Sequence, residues 1–62
     1  MSAVDYKHQS VRDFVAAMQR GDSAAAERIA HEISERHKRG GAAKGELSEL
    51  SWANAVTPLG SK

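Results

Sequence analysis

The chain of 62 residues carries nine Lys or Arg and eight Asp or Glu, which gives a formal net charge of +1 at pH 7. Charges this balanced indicate neither a nucleic-acid nor an acidic partner, and the absence of cysteine excludes disulfides and thiolate zinc sites. No stretch has the ~20 apolar residues that cross a bilayer. The amino terminus also lacks the basic and apolar regions of a secretory signal. We therefore expect one small cytoplasmic domain without membrane contact.

The first predicted element is an amphipathic helix over residues 3–20. Ser2 is expected to be its N-cap, with Asp5 in the position that completes a capping-box spacing in its Asp variant. Tyr6 falls beside the apolar stripe, so we expect its ring at the edge of the core and its hydroxyl in water. The stripe has the i, i+3, i+4, i+7 spacing of one helix face and consists of Val11, Phe14, Val15 and Met18.

A second amphipathic helix follows directly and is predicted to run to about Arg39. Gly21 supplies the permissive backbone that ends the first helix, Asp22 or Ser23 caps the second, and Gly40-Gly41 closes it. Its apolar stripe consists of Ala26, Ile29, Ala30 and Ile33. Its exposed face offers opposite charges at the i, i+4 spacing, namely Arg28 with Glu32, Glu32 with Arg36, and Glu35 with Arg39.

A third, shorter helix is predicted over residues 42–53, with Gly45 inside it and Leu47 and Leu50 on one face. Pro58 stops any further helix. The sequence therefore predicts an all-α fold, a helical hairpin plus a short third helix, which makes a small three-helix bundle over residues 1–55 with a linker or tail over 56–62. The residues expected to form its core are Val11, Phe14, Val15, Met18, Ile29 and Ile33.

The sequence offers no convergent catalytic or metal-binding set. His31 and His37 are six residues apart, about 120° around a helix, so they do not face one ion. Glu27, His31 and Glu35 share one helix face, which is typical of a charged surface row. The serines lack a nucleophile-elbow motif. We therefore expect no enzyme activity, no metal and no cofactor.

Two surfaces are candidates for contact with other molecules. A basic cluster near the end of the second helix favours a nucleic-acid contact only weakly, because acidic residues dilute it and no aromatic residue lies within it. Its members are Arg36, Lys38, Arg39 and Lys44. Candidate protein-contact residues are Leu47, Leu50 and Trp52. Because eleven of the apolar residues are alanine, the core is thin, and homo-oligomer formation is a further expectation.

The segment over residues 14–50 also resembles a known family region. It has Gly21-Asp22 between its helices, Ala26-Glu27-Arg28-Ile29-Ala30 opening the second helix, and Leu47-Ser48-Glu49-Leu50 after a His/Arg turn. In this arrangement it resembles the small helical region at the start of certain bacterial AAA-type ATPases, which precedes a linker and then the nucleotide-binding module. Thr57-Pro58-Leu59-Gly60 is similar to that linker.

The resemblance implies an accessory module for substrate or partner recognition. It carries over no functional residue, since the chain has no Walker loop, acidic metal-binding strand or arginine finger. The expected function is a non-catalytic protein–protein interaction module, the amino-terminal recognition or assembly domain of a larger ATPase. Two alternatives remain open: a freestanding phage- or plasmid-type binder or inhibitor of a host protein, and a weak nucleic-acid-binding hairpin.

Overall fold

The computed structural model describes residues 6–41 and 44–60, which form three helices: α1 (Gln9–Gln19), α2 (Ser23–Lys38) and α3 (Glu46–Val56). The described residues contain no strand, and α1 and α2 pack closely together with α3 against both. This confirms the predicted all-α three-helix bundle. Within the described ranges, no helix has the length and apolar character needed to span a membrane.

The turn between α1 and α2 follows the sequence prediction. Gly21 has φ +78°, and its N–H donates to the Met18 carbonyl at 3.1 Å while the Asp22 N–H reaches the Ala17 carbonyl at 2.9 Å. These are the two hydrogen bonds of a Schellman motif, which needs a residue that tolerates positive φ. The Asp22 carboxylate then accepts from the Ala25 N–H at 3.1 Å and caps α2.

The core lies between the facing stripes of the hairpin and is closed by α3. Four of the six predicted core residues, Val11, Phe14, Val15 and Ile33, are buried, which confirms them. Met18 and Ile29 are partly buried and pack against this core. The other buried apolar residues in the described part of the chain are Tyr6, Ala17, Ala25, Ala26, Leu50 and Ala53.

The predicted start of the first helix is wrong within the described residues. Helix α1 begins at Gln9, after His8 in an extended conformation (φ −95°, ψ 131°). Ser2 and Asp5, the predicted capping residues, lie outside the described residues. The prediction for Tyr6 is also wrong, because its side chain is only 4% exposed and its hydroxyl is buried. A helical phase does not apply to a residue that precedes the helix, so Tyr6 turns inward instead of flanking the core.

The third helix begins later than predicted. Gly45 is not inside it but is its N-cap residue, with φ +83°, a conformation that side chains with a Cβ rarely adopt. The helix ends at Val56, and the extended residues after it return to the hairpin, where the Gly60 N–H donates to the Met18 carbonyl at 2.6 Å. The predicted charge pairs along α2 are also replaced: Glu35 lies near His31 and Lys38, and Arg36 pairs with α3.

Candidate protein-docking groove

An open groove of about 420 Å³ lies where the three helices meet. We call it the apolar groove, because most of its lining is hydrophobic. Its floor and walls are formed by Phe14 and Met18 of α1, Ala26 and Ala30 of α2, and Leu47 and Leu50 of α3. Its rim carries Ser23 and Glu27 from α2, Ser51 and Asn54 from α3, and Leu59 from the returning tail.

The groove exists because small and large side chains face each other across it. Helix α2 presents alanine at positions 26 and 30, while α1 contributes Phe14 and α3 contributes Leu47. The short alanine side chains cannot fill the space between the helices, so Met18 and Leu47 stay partly exposed at the groove, whereas Phe14 and Leu50 are buried. Both alanines lie on the predicted packing stripe of α2, but the space that they leave could not be read from that stripe. Their size was the available signal.

The position of α3, and therefore of the groove wall, is fixed by two glutamates. Glu46 is buried, and its carboxylate accepts from the Ser10 hydroxyl and from Arg36 Nη2, the latter at 3.0 Å. One carboxylate thus contacts all three helices, since Ser10 belongs to α1 and Arg36 to α2. This role of Glu46 was not predicted, because pairing between residues so far apart in the sequence leaves no local pattern.

The second glutamate, Glu49, binds the chain just before α1. It accepts from the backbone N–H groups of Lys7 at 3.1 Å and His8 at 3.0 Å, and from His8 Nδ1 at 3.1 Å. Burial acts to raise the pKa of Glu49, but the hydrogen bonds from His8 and Lys7 and the charge interaction with His8 together lower it. Glu49 thus ties α3 to the extended segment that precedes α1.

The structure separates the three predicted protein-contact residues. Leu47 and Leu50 line the apolar groove, whereas Trp52 does not and is 57% exposed. Two residues of helix turn Trp52 about 200° away from Leu50, and Val56 is exposed on that same outer face of α3. Leu47 and Leu50 can therefore contact one partner surface while Trp52 faces another direction. That these residues bind a protein stays a prediction.

The predicted basic cluster is partly neutralised within the molecule. Arg36 Nη2 lies 3.0 Å from the Glu46 carboxylate, and Lys38 Nζ lies 3.7 Å from Glu35. Arg39 and Lys44 are exposed. Of the four members, two thus have carboxylate neighbours, which reduces the positive charge available to a phosphate backbone. A nucleic-acid contact stays an untested alternative.

The histidines do not assemble into a site in the described part of the chain. His31 lies 3.9 Å from Glu35 on the exposed side of α2, and no group of three potential metal ligands occurs within residues 6–41 and 44–60. Comparison of the chain with protein-family models, with curated proteins and with solved structures gave no match.

Proposed function

We propose that this chain is a non-catalytic protein–protein interaction module that holds a segment of its partner in the apolar groove. The observation that carries this proposal is the open groove where the three helices meet, in which Met18 and Leu47 are partly exposed and Leu59 is exposed. An accessible apolar surface with polar residues at its rim is typical of a binding site in a small soluble fold. Helical bundles use such grooves to receive the apolar face of another helix.

The polar clusters of the structure support a binding role over a catalytic one. Ser10, Glu46 and Arg36 join three helices, and Glu49 holds the backbone before α1. Each of these close contacts is used within the fold, away from the groove lining. The groove itself presents aliphatic and aromatic surface, two hydroxyls, one carboxamide and one carboxylate, which suit recognition.

We further propose, on the resemblance of residues 14–50 to the start of bacterial AAA-type ATPases, that the module serves recognition or assembly in such an ATPase. The intact mass of the natural gene product in its source cell tests this part of the proposal. A mass far above that of 62 residues, with peptides from a nucleotide-binding module, would support it. A mass equal to that of this chain would overturn it in favour of the freestanding binder.

Site-specific photocrosslinking tests the groove itself. A benzophenone amino acid replaces Ser51, which is exposed at the groove rim, and in a second protein it replaces Trp52 on the outer face of α3. In cells that make the protein, we expect a discrete crosslinked partner from position 51 and not from position 52. Both substituted proteins retain the buried contacts of α3, so each is the control for the other.

A blocking variant makes the result specific. Ala30→Leu places a larger side chain in the groove from α2, and it should abolish the crosslink at position 51 while the circular dichroism spectrum shows that the helices remain. Should the variant fail to fold, Ser51→Arg blocks the groove from its exposed rim instead. The unmodified chain, added in excess, should compete away the crosslink at position 51, whereas the Ser51→Arg chain in excess should not. Equal adducts from positions 51 and 52, or adducts insensitive to blocking, would contradict the proposal.

A further inference from the structure

From the charges at its rim we infer that the apolar groove takes an amphipathic helix of another protein, with Lys or Arg flanking its apolar face on the side that meets Glu27. The inference rests on the proposed function and names the chemistry of the partner. It depends on two observations: the distribution of polar groups around the groove, and the chemistry of the surfaces that this chain could offer to itself.

The two rims of the groove differ in charge. The α2 rim carries the Glu27 carboxylate, whereas the α3 rim carries the uncharged side chains of Ser51 and Asn54. Among the residues described as lining the groove, Glu27 has the one formal charge. A partner helix seated on the apolar floor would therefore meet negative charge along one flank and neutral polar groups along the other, which fixes both its rotation and the side for its cations.

Glu27 is available for such a contact. Its side chain is exposed, and no ion pair joins it to another residue in the described part of the chain. His31, one turn further along α2, lies near Glu35 instead. Arg28 is the next residue, and it projects about 100° around the helix from Glu27. A cation from outside can thus approach the carboxylate without displacing an internal partner.

A second copy of this chain fits the groove less well. Within residues 6–41 and 44–60, the exposed large apolar residues on a helix are Trp52 and Val56, both in α3. The charged residues of α3 are Glu46 and Glu49, and its sequence contains no Lys or Arg. Docking that face onto the groove would therefore bring no cation to Glu27, whose charge would stay unpaired in the contact. A basic amphipathic helix from a different protein supplies the complementary charge.

Synthetic peptides test the inference directly. Three peptides of ~15 residues carry leucines at i, i+3, i+4 and i+7 with lysine flanks, the same leucines with glutamate flanks, or lysine flanks with the leucines replaced by serine. Each is titrated into nitrogen-15-labelled protein, and the amide shifts of Ala30 and Leu47 report groove occupancy while those of Trp52 report the outer face. We expect binding in the order lysine-flanked, glutamate-flanked, serine-substituted.

Variants at Glu27 assign the preference to that residue. Glu27→Gln should weaken the lysine-flanked peptide by about two- to fivefold, the size of an exposed ion pair, and Glu27→Lys should reverse the preference between the two leucine peptides. Glu32→Gln is the matched control, because it removes the same charge from the exposed surface of α2 about 140° around the helix. Its affinity for each peptide should equal that of the unmodified chain.

The outcomes separate the inference from the function beneath it. Equal affinity for both leucine peptides, unaffected by Glu27→Gln, would overturn the basic-helix inference and leave the groove as a docking site. Groove shifts that depend on protein concentration without peptide would identify a second copy as the occupant and overturn it as well. Absence of groove shifts with every peptide, together with no blockable crosslink, would overturn both.

Discussion

The α1–α2 hairpin and helix α3 are attached to the molecule by different kinds of interaction. The hairpin is held by buried apolar side chains such as Val11, Val15 and Ile33, and its helices join through a short turn with local hydrogen bonds. Helix α3 also buries Leu50, but the orientation of the helix is fixed by the carboxylates of Glu46 and Glu49. Apolar packing thus holds the α1–α2 hairpin together, and polar contacts position α3 as the groove wall.

This difference has a consequence for dynamics. Apolar burial is lost mainly when the whole hairpin opens, whereas a few hydrogen bonds can break while the rest of the fold persists. We therefore expect α3 to open at lower free energy than α1 and α2. Because Leu47 and Leu50 form one wall of the groove, opening of α3 would also remove that wall and with it the proposed binding site.

The largest expected effect comes from the hairpin core. Phe14→Ala should lower the free energy of unfolding by about 3–5 kcal/mol, the cost of removing a buried aromatic ring. A single core in so small a domain rarely provides more than about that amount, so the variant is expected to lose cooperative unfolding. Thermal and urea melts followed by circular dichroism measure this.

Trp52→Ala is the matched control, since it truncates an aromatic side chain that is 57% exposed. It should change the free energy of unfolding by less than about 0.5 kcal/mol. If Phe14→Ala and Trp52→Ala shift the melt equally, the assignment of Phe14 to the core is incorrect.

An intermediate effect is expected where α3 attaches. Glu46→Gln removes the charge of the carboxylate that accepts hydrogen bonds from Ser10 and Arg36. It should lower the free energy of unfolding by about 1.5–3 kcal/mol, the contribution of hydrogen bonds to a charged group. Hydrogen exchange should accelerate more at α3 amides than at α2 amides. The control is Glu35→Gln, since Glu35 is 40% exposed near Lys38 at 3.7 Å and should lose less than about 0.5 kcal/mol. Uniform acceleration across the helices would refute a separately attached α3.

The smallest expected effect is a dependence on pH through Glu49. Its pKa is lowered by folding, from an ordinary value of 4.5, because hydrogen bonds from His8 and Lys7 outweigh the opposing effect of burial. The folded state thus favours the ionised carboxylate, so its stabilisation is complete above the ordinary pKa and disappears as the pH falls through the folded value. The stability difference between the unmodified chain and Glu49→Gln should shrink below about pH 4.5. Parallel stability curves down to pH 3 would contradict this role.

The hairpin could be predicted from the sequence because its signals are local. The apolar spacing of Val11 to Met18, the glycine at position 21 and the cap at Asp22 act within a few residues of each other. Fold class followed from these signals, as did the four large buried side chains at the centre of the hairpin, Val11, Phe14, Val15 and Ile33. Helix α3 was placed, but its start was set too early, since Gly45 with positive φ precedes it.

The parts that could not be predicted depend on contacts between distant residues. Glu49 binds backbone groups of Lys7 and His8 across more than half of the chain, and this contact accompanies the late start of α1. The groove could not be predicted either. It arises because the side chains of Ala26 and Ala30 are small, and no residue with a distinctive chemistry marks it in the sequence. Leu47 and Leu50 were identified as contact residues, whereas Glu27 was assigned only to a surface row.

The hydrogen bond from Gly60 to the Met18 carbonyl has a consequence for tethered ligands. This hydrogen bond holds the end of the described chain against the last turn of α1. A Cβ at position 60 would collide with the Gln19 carbonyl, so the close approach requires glycine. A peptide joined directly after Gly60 would start beside the groove rim at Leu59. Through a short flexible linker, its effective concentration at the groove would be on the order of millimolar. Weak ligands can therefore be studied as fusions, with linker length setting the occupancy.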